Sequence, residues 1–218
     1  MFESLPDIPR LFTALAEWGA TLVYVFVVAR SASSNALNPN AAVPRWRLAT
    51  AAVGGLVVLV GAQELLGRAP LSLWVPGMMT AYALVWCVIR VGTALDWRWV
   101  THMSVRAFIV AELAASLAWQ VVVYSHADKP YWHPLSFSGF AAIASTCLAV
   151  VYFFERRVYR QGALPALRFA DLASGVFIGI SIFALSNLSF VSTATPFSGR
   201  AGWEVFYIRT LVDLAGYA

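Results

Sequence analysis

The residues of this chain that could do chemistry are few, and most sit where charge is expensive. Glu17, Glu112, Arg209 and Asp213 each fall inside a long apolar run. An ionisable group so placed usually faces protein or water and often carries function. Arg209 and Asp213 are four residues apart, so on a helix they share a face. Glu17, in the first run, and Arg209, in the last, are expected at similar depth, so a Glu17–Arg209 pair competes with an Arg209–Asp213 pair. Asn187, near the end of the sixth run, adds a hydrogen-bonding group at the same level. The expected arrangement is a small polar network, which either senses a ligand or merely fixes helix order. Glu112 lies mid-run and is too short to escape. It reads as a buried switch or proton-linked group, or as a protonated or hydrogen-bonded carboxyl that holds helices together. Arg106, six residues earlier, can snorkel along its stem to the interface. Arg106 and Glu112 are therefore the helix-coupling candidates, and Glu17, Asn187, Arg209 and Asp213 the sensing candidates.

Other chemistries find less support. His126, Asp128 and His133 share one loop, but their spacing matches no established zinc motif, so no metal site is expected. The run Phe153-Phe-Glu155-Arg156-Arg157 holds a glutamate, yet no histidines follow it as an intramembrane protease would need. A phosphate-binding Gly-rich loop, HExxH, CxxC and GxSxG are all missing. No catalytic residue and no cofactor is expected. Cys87 and Cys147 lie within apolar runs and read as small buried hydrophobes. No basic cluster interleaved with aromatics points to nucleic acid.

The elements that must position these groups follow from composition. The chain is 60% hydrophobic and 12% charged, with a mean hydropathy of +0.71. A soluble domain carries roughly 25% charged residues, so the chain is expected to be a polytopic integral membrane bundle, all-α and a single domain over residues 1–218. A helix crosses the bilayer with about 20 apolar residues. Such runs fall at about 11–29, 46–66, 71–91, 100–124, 135–154, 172–191 and 203–218. The last would reach only about 24 Å, short of a core of about 30 Å, which predicts six full transmembrane helices and a truncated seventh. Gly175 and Gly179 form a small-xxx-small step suited to close helix packing. Asn187-Leu-Ser189 matches a glycosylation sequon but lies in an apolar run, where no acceptor is expected. No basic n-region or cleavage site marks a signal peptide.

Arginines set the expected orientation. The first, third and fifth loops hold Arg30, Arg45, Arg47, Arg90, Arg98, Arg156, Arg157, Arg160 and Arg168, while the N-terminal tail and the other loops hold Arg10, Arg68, Lys129 and Arg200. The bias places the first set in the cytoplasm, the N-terminus outside and the C-terminus inside, in a cell (inner) membrane.

The strings Leu185-Ser-Asn-Leu-Ser-Phe190, Thr195-Pro-Phe-Ser198 and Phe206-Tyr-Ile-Arg-Thr-Leu-Val-Asp213 resemble the end of the membrane-sensor region of bacterial GHKL-type sensor histidine kinases. The resemblance covers about 30 residues, and upstream it extends only to helix number and hydropathy. It implies a two-component signalling module, a homodimer, that reads a peptide, small molecule or membrane signal. It also implies a cytoplasmic kinase domain, absent from this chain, and a response-regulator partner. The alternative is a small-molecule transporter or permease with a path lined by Glu112 and Asp213. A membrane-embedded enzyme is a third class, lacking the nucleophile or metal set it would need.

Overall fold

The structure is a computed structural model, and it describes residues 8–34, 43–70, 73–93, 95–125, 130, 132–159, 167–191, 211, 212, 214, 215 and 217. Side chains of residues 32–34, 74 and 185–191 lie outside that description. The chain folds as an all-α bundle in which every regular element of the described residues is helical. The helices are α1 (Arg10–Ser34), α2 (Arg45–Ala49), α3 (Gly55–Leu66), α4 (Trp74–Thr93), α5 (Trp97–Ser125), α6 (Pro134–Tyr159) and α7 (Phe169–Val191). A π-helical turn, Thr50–Gly54, joins α2 to α3 without a break. Of the expected seventh span, Leu211, Val212, Leu214, Ala215 and Tyr217 are described, all helical.

Five helical stretches among the described residues are long and apolar enough to cross a membrane: α1, the joined α2–α3, α4, α5 and α6. The apolar part of α7, Phe169–Ala184, is a shorter sixth. Surface and interior are arranged to match. Val57, Leu65, Phe153, Phe154, Val158 and Phe177 are exposed, while Glu17, Gln63 and Glu155 are buried. A water-soluble surface rarely carries such wide apolar patches, whereas a bundle in lipid presents them by default. Some buried hydroxyls are satisfied within their own helices, as where Thr21 donates to the Glu17 carbonyl at 2.6 Å and Ser104 to that of Val100 at 2.6 Å. Hydrocarbon offers no other acceptor.

Contacts fix the directions. Phe12 stacks on Phe140 and meets Trp119 edge-on, while Tyr24 reaches Glu155 and Glu155 reaches Arg106. Thus α1 and α6 run parallel, and α5 runs antiparallel between them. α1 and α5 are the inner pair, with Tyr24, Val25, Met103 and Val110 in one core cluster. α3 lies along α1, and α4 closes on both where Gly92 fits against Val25 and Ala51. α7 packs on α5, and the small-xxx-small step is the reason. A β-carbon at Gly179 would stand 2.6 Å from Val105 Cγ1, and one at Gly175 would approach His102.

Several helix ends differ from the expectation. α1 continues to Ser34, α5 begins at Trp97, and α6 continues to Tyr159, taking Glu155, Arg156 and Arg157 out of the loop. An apolar run measures only the hydrocarbon-facing part. The backbone gains by staying helical into the headgroup layer, where charged side chains are solvated.

Candidate functional site

Two groups of buried polar side chains occupy opposite halves of the bundle. The first gathers on Glu155 of α6. Its position follows from a stripe along α6, Ser136, Phe140, Ala144, Val151 and Glu155, all buried at near-helical spacing. Glu155 Oε1 accepts from Tyr24 Oη at 2.9 Å, Arg106 Nε at 3.1 Å, Arg106 Nη2 at 2.9 Å and Tyr217 Oη at 2.9 Å. The Arg106 guanidinium also lies over the Tyr217 ring, 4.7 Å from its centre. One carboxylate thus ties α1, α5, α6 and the C-terminal segment together. Tyr24 is fully buried, and the Arg106 side chain is 27% exposed. Charge-assisted bonds of this kind are roughly twice as strong as neutral ones, and here the arginine charge is matched on the spot. Trp99 extends the group, edge-on to Tyr159 and to His102.

The second group centres on Glu17 of α1. Gln63 Nε2, from α3, donates to Glu17 Oε1 at 2.7 Å, and both residues are buried. Glu112 of α5 and Arg10 of α1 are the charged groups that act on Glu17. Glu17 Oε2 and Gln63 Oε1 have no hydrogen-bond partner among the described residues, nor do buried Ser116 Oγ, Gln120 Oε1 and Ser136 Oγ. Ser116 and Gln120 continue the α5 stripe that starts at Glu112, at spacings of four. One neighbouring contact is fully made: Trp18 Nε1 donates to the Ala52 carbonyl at 2.7 Å, inside the π turn. A wide turn redirects carbonyls from the helix ladder, and this one serves an indole on α1.

The sequence candidates divide accordingly. Glu17 is a buried polar group, and its described partner is Gln63, which the spacing argument passed over. Arg106, one of the helix-coupling candidates, is bonded to Glu155 of α6. Glu112 is half-buried on α5 at the level of Glu17. Asn187 falls on α7 with its side chain outside the described residues, and Arg209 and Asp213 lie outside them too. The pairs proposed for Arg209 therefore also fall outside the description, as do His126 and Asp128. Among the described residues no three His, Cys, Asp or Glu side chains are grouped to hold a metal. Cys87 and Cys147 are free thiols, but Cys87 is exposed on the bundle and Cys147 only partly buried, so neither is the buried hydrophobe expected. Glu155, Tyr24 and Tyr217 are the members the sequence reading missed. The continuing stripe on α6 was the available signal for Glu155.

Chemically, the Glu155 group is a latch: an ion pair and two phenols that meet on one carboxylate oxygen. The Glu17 group is rich in acceptors and only partly used. No family model matches the chain, and no curated protein or solved structure matches it either.

Proposed function

We propose that this chain is the membrane-sensor module of a two-component histidine kinase, which reads an extracellular or membrane signal and passes it on through its last segment. The observation that carries this reading is the Tyr217–Glu155–Arg106 contact. A residue five positions after Val212 is bonded to the same carboxylate that binds α1 and α5. Any change in how α1 packs on α5 and α6 therefore reaches the C-terminal segment through one oxygen atom. A signal acts by favouring one of two packings through differential affinity. The Glu17–Gln63 contact between α1 and α3 is the place in the other half where a ligand would bias that packing. The resemblance over residues 185–213 supports the kinase assignment, and the arginine bias supports a cytoplasmic end for the latch. In this reading the module dimerises, sits in the cell (inner) membrane with its N-terminus outside, and serves a response regulator through the kinase domain.

The experiment is to join the chain to its parent reading frame and measure phosphotransfer. Tyr217→Phe and Glu155→Gln should change basal kinase output while membrane insertion stays normal. Unchanged output in both variants would remove the latch from the signalling route. Further membrane spans after Ala218, with no ATP-binding domain, would favour the permease.

A further inference from the structure

A groove of about 460 Å³ opens between α1 and α6, lined by Phe26, Ala29, Arg30 and Tyr152. Its volume lies within the range of roughly 300–1,000 Å³ typical of ligand sites. Its chemistry is graded along the bundle axis. The two helices run parallel, and each offers an aromatic ring followed by an arginine four residues on: Phe26 then Arg30, Tyr152 then Arg156. On a helix, residues four apart share a face and lie about 6 Å apart along the axis. Each arginine is thus displaced from its ring in the same direction, toward the end of the bundle that holds Arg90, Arg98 and Arg157. Arg30 and Phe26 are exposed, and Tyr152 and Arg156 are partly so. Neither arginine has an acidic partner among the described residues, because the nearby carboxylate, Glu155, is engaged by Arg106.

We infer that this groove binds an anionic phospholipid, its phosphate held by Arg30 and Arg156 and its acyl chain laid along Phe26 and Tyr152. The grading is that of an amphiphile: an apolar wall one turn deeper in the bilayer, a cationic mouth at its edge. Guanidinium groups pair with phosphate through two parallel hydrogen bonds. A zwitterionic lipid would bring its own cation to a mouth lined by Arg30, with Arg156 one turn beyond Tyr152 on the facing helix. The groove also lies along the α1–α6 seam that Tyr24 and Glu155 close at 2.9 Å, so its occupant bears on the same helix pair as the latch. The inference rests on membrane embedding and is independent of the kinase reading.

The test uses the purified chain in nanodiscs containing equal phosphatidylglycerol and phosphatidylcholine, with retained lipid read by native mass spectrometry. The expected result is several-fold preferential retention of phosphatidylglycerol, abolished in the Arg30→Gln/Arg156→Gln double variant. Phe26→Ala should lower retention of both lipids. Excess soluble glycerol 3-phosphate should displace neither. Equal retention of the two lipids by the unmodified chain would overturn the inference, as would a preference that survives the double substitution. Displacement by soluble glycerol 3-phosphate would overturn it as well, by showing an anion site that needs no acyl chain. Kinase output enters none of these readouts, so the lipid site and the signalling role fail separately.

Discussion

The two polar groups of this bundle solve the same problem differently. Both place a glutamate from one helix among apolar neighbours, and both join α1 to another helix. Around Glu155 the donors are abundant: two phenols and a guanidinium, four bonds on one oxygen. Around Glu17 a single amide donates among the described residues, and oxygen atoms on both partners are left over there. A fully satisfied buried network rigidifies and specifies a packing, whereas a partly satisfied one is the weaker point. One group closes a packing with every described donor on a single oxygen, while the other leaves acceptors unused in the opposite half.

Substitutions that remove one partner at a time can break that contrast. The largest loss is expected for Glu155→Ala, which strands a largely enclosed guanidinium and two phenols. It should cost about 3 kcal/mol, the low end for a broken buried pair because Arg106 keeps some exposure. Reversible unfolding in mixed micelles measures it. A cost below that of a single neutral hydrogen bond would show that the latch is ornamental. Gln63→Leu comes next, at about 1–2 kcal/mol for the lost donor, in the same assay. If it matches Glu155→Ala, the two groups are equally structural and the contrast fails. Smallest is Glu17→Gln, under about 1 kcal/mol, because a carboxamide oxygen still accepts from Gln63 Nε2. A larger loss would mean that the ionised carboxylate is required, which sharpens the role of Arg10 and Glu112 around it.

Legibility in the sequence follows the range of the physics involved. The helical bundle was readable because an apolar run of bilayer length has few alternatives. The Gly175–Gly179 step was readable for the same reason: a missing side chain invites a neighbour, and Val105 of α5 takes the space. Glu17 was recognisable as a misplaced charge. Its partner was not, since Gln63 sits in a run next to Glu64 and nothing local distinguishes the inward-facing residue. Glu155 was hidden by its neighbours, because two arginines after it make the segment look like a basic loop. Only the spacing from Phe140, Ala144 and Val151 shows that the helix continues with the same face inward. The π turn was not read from the sequence, and its role depends on Trp18, more than thirty residues away.

That turn has a geometric consequence for the helix that contains it. It accommodates one residue more than an α-turn would, so the stretches before and after it are out of phase with a straight rod by roughly 100°. Gln63 lies past the turn and donates to Glu17 in that phase. Regularising Thr50–Gly54 with α2 held in place would turn the glutamine about the axis, away from Glu17, and α1 would lose its amide without a single residue having been replaced.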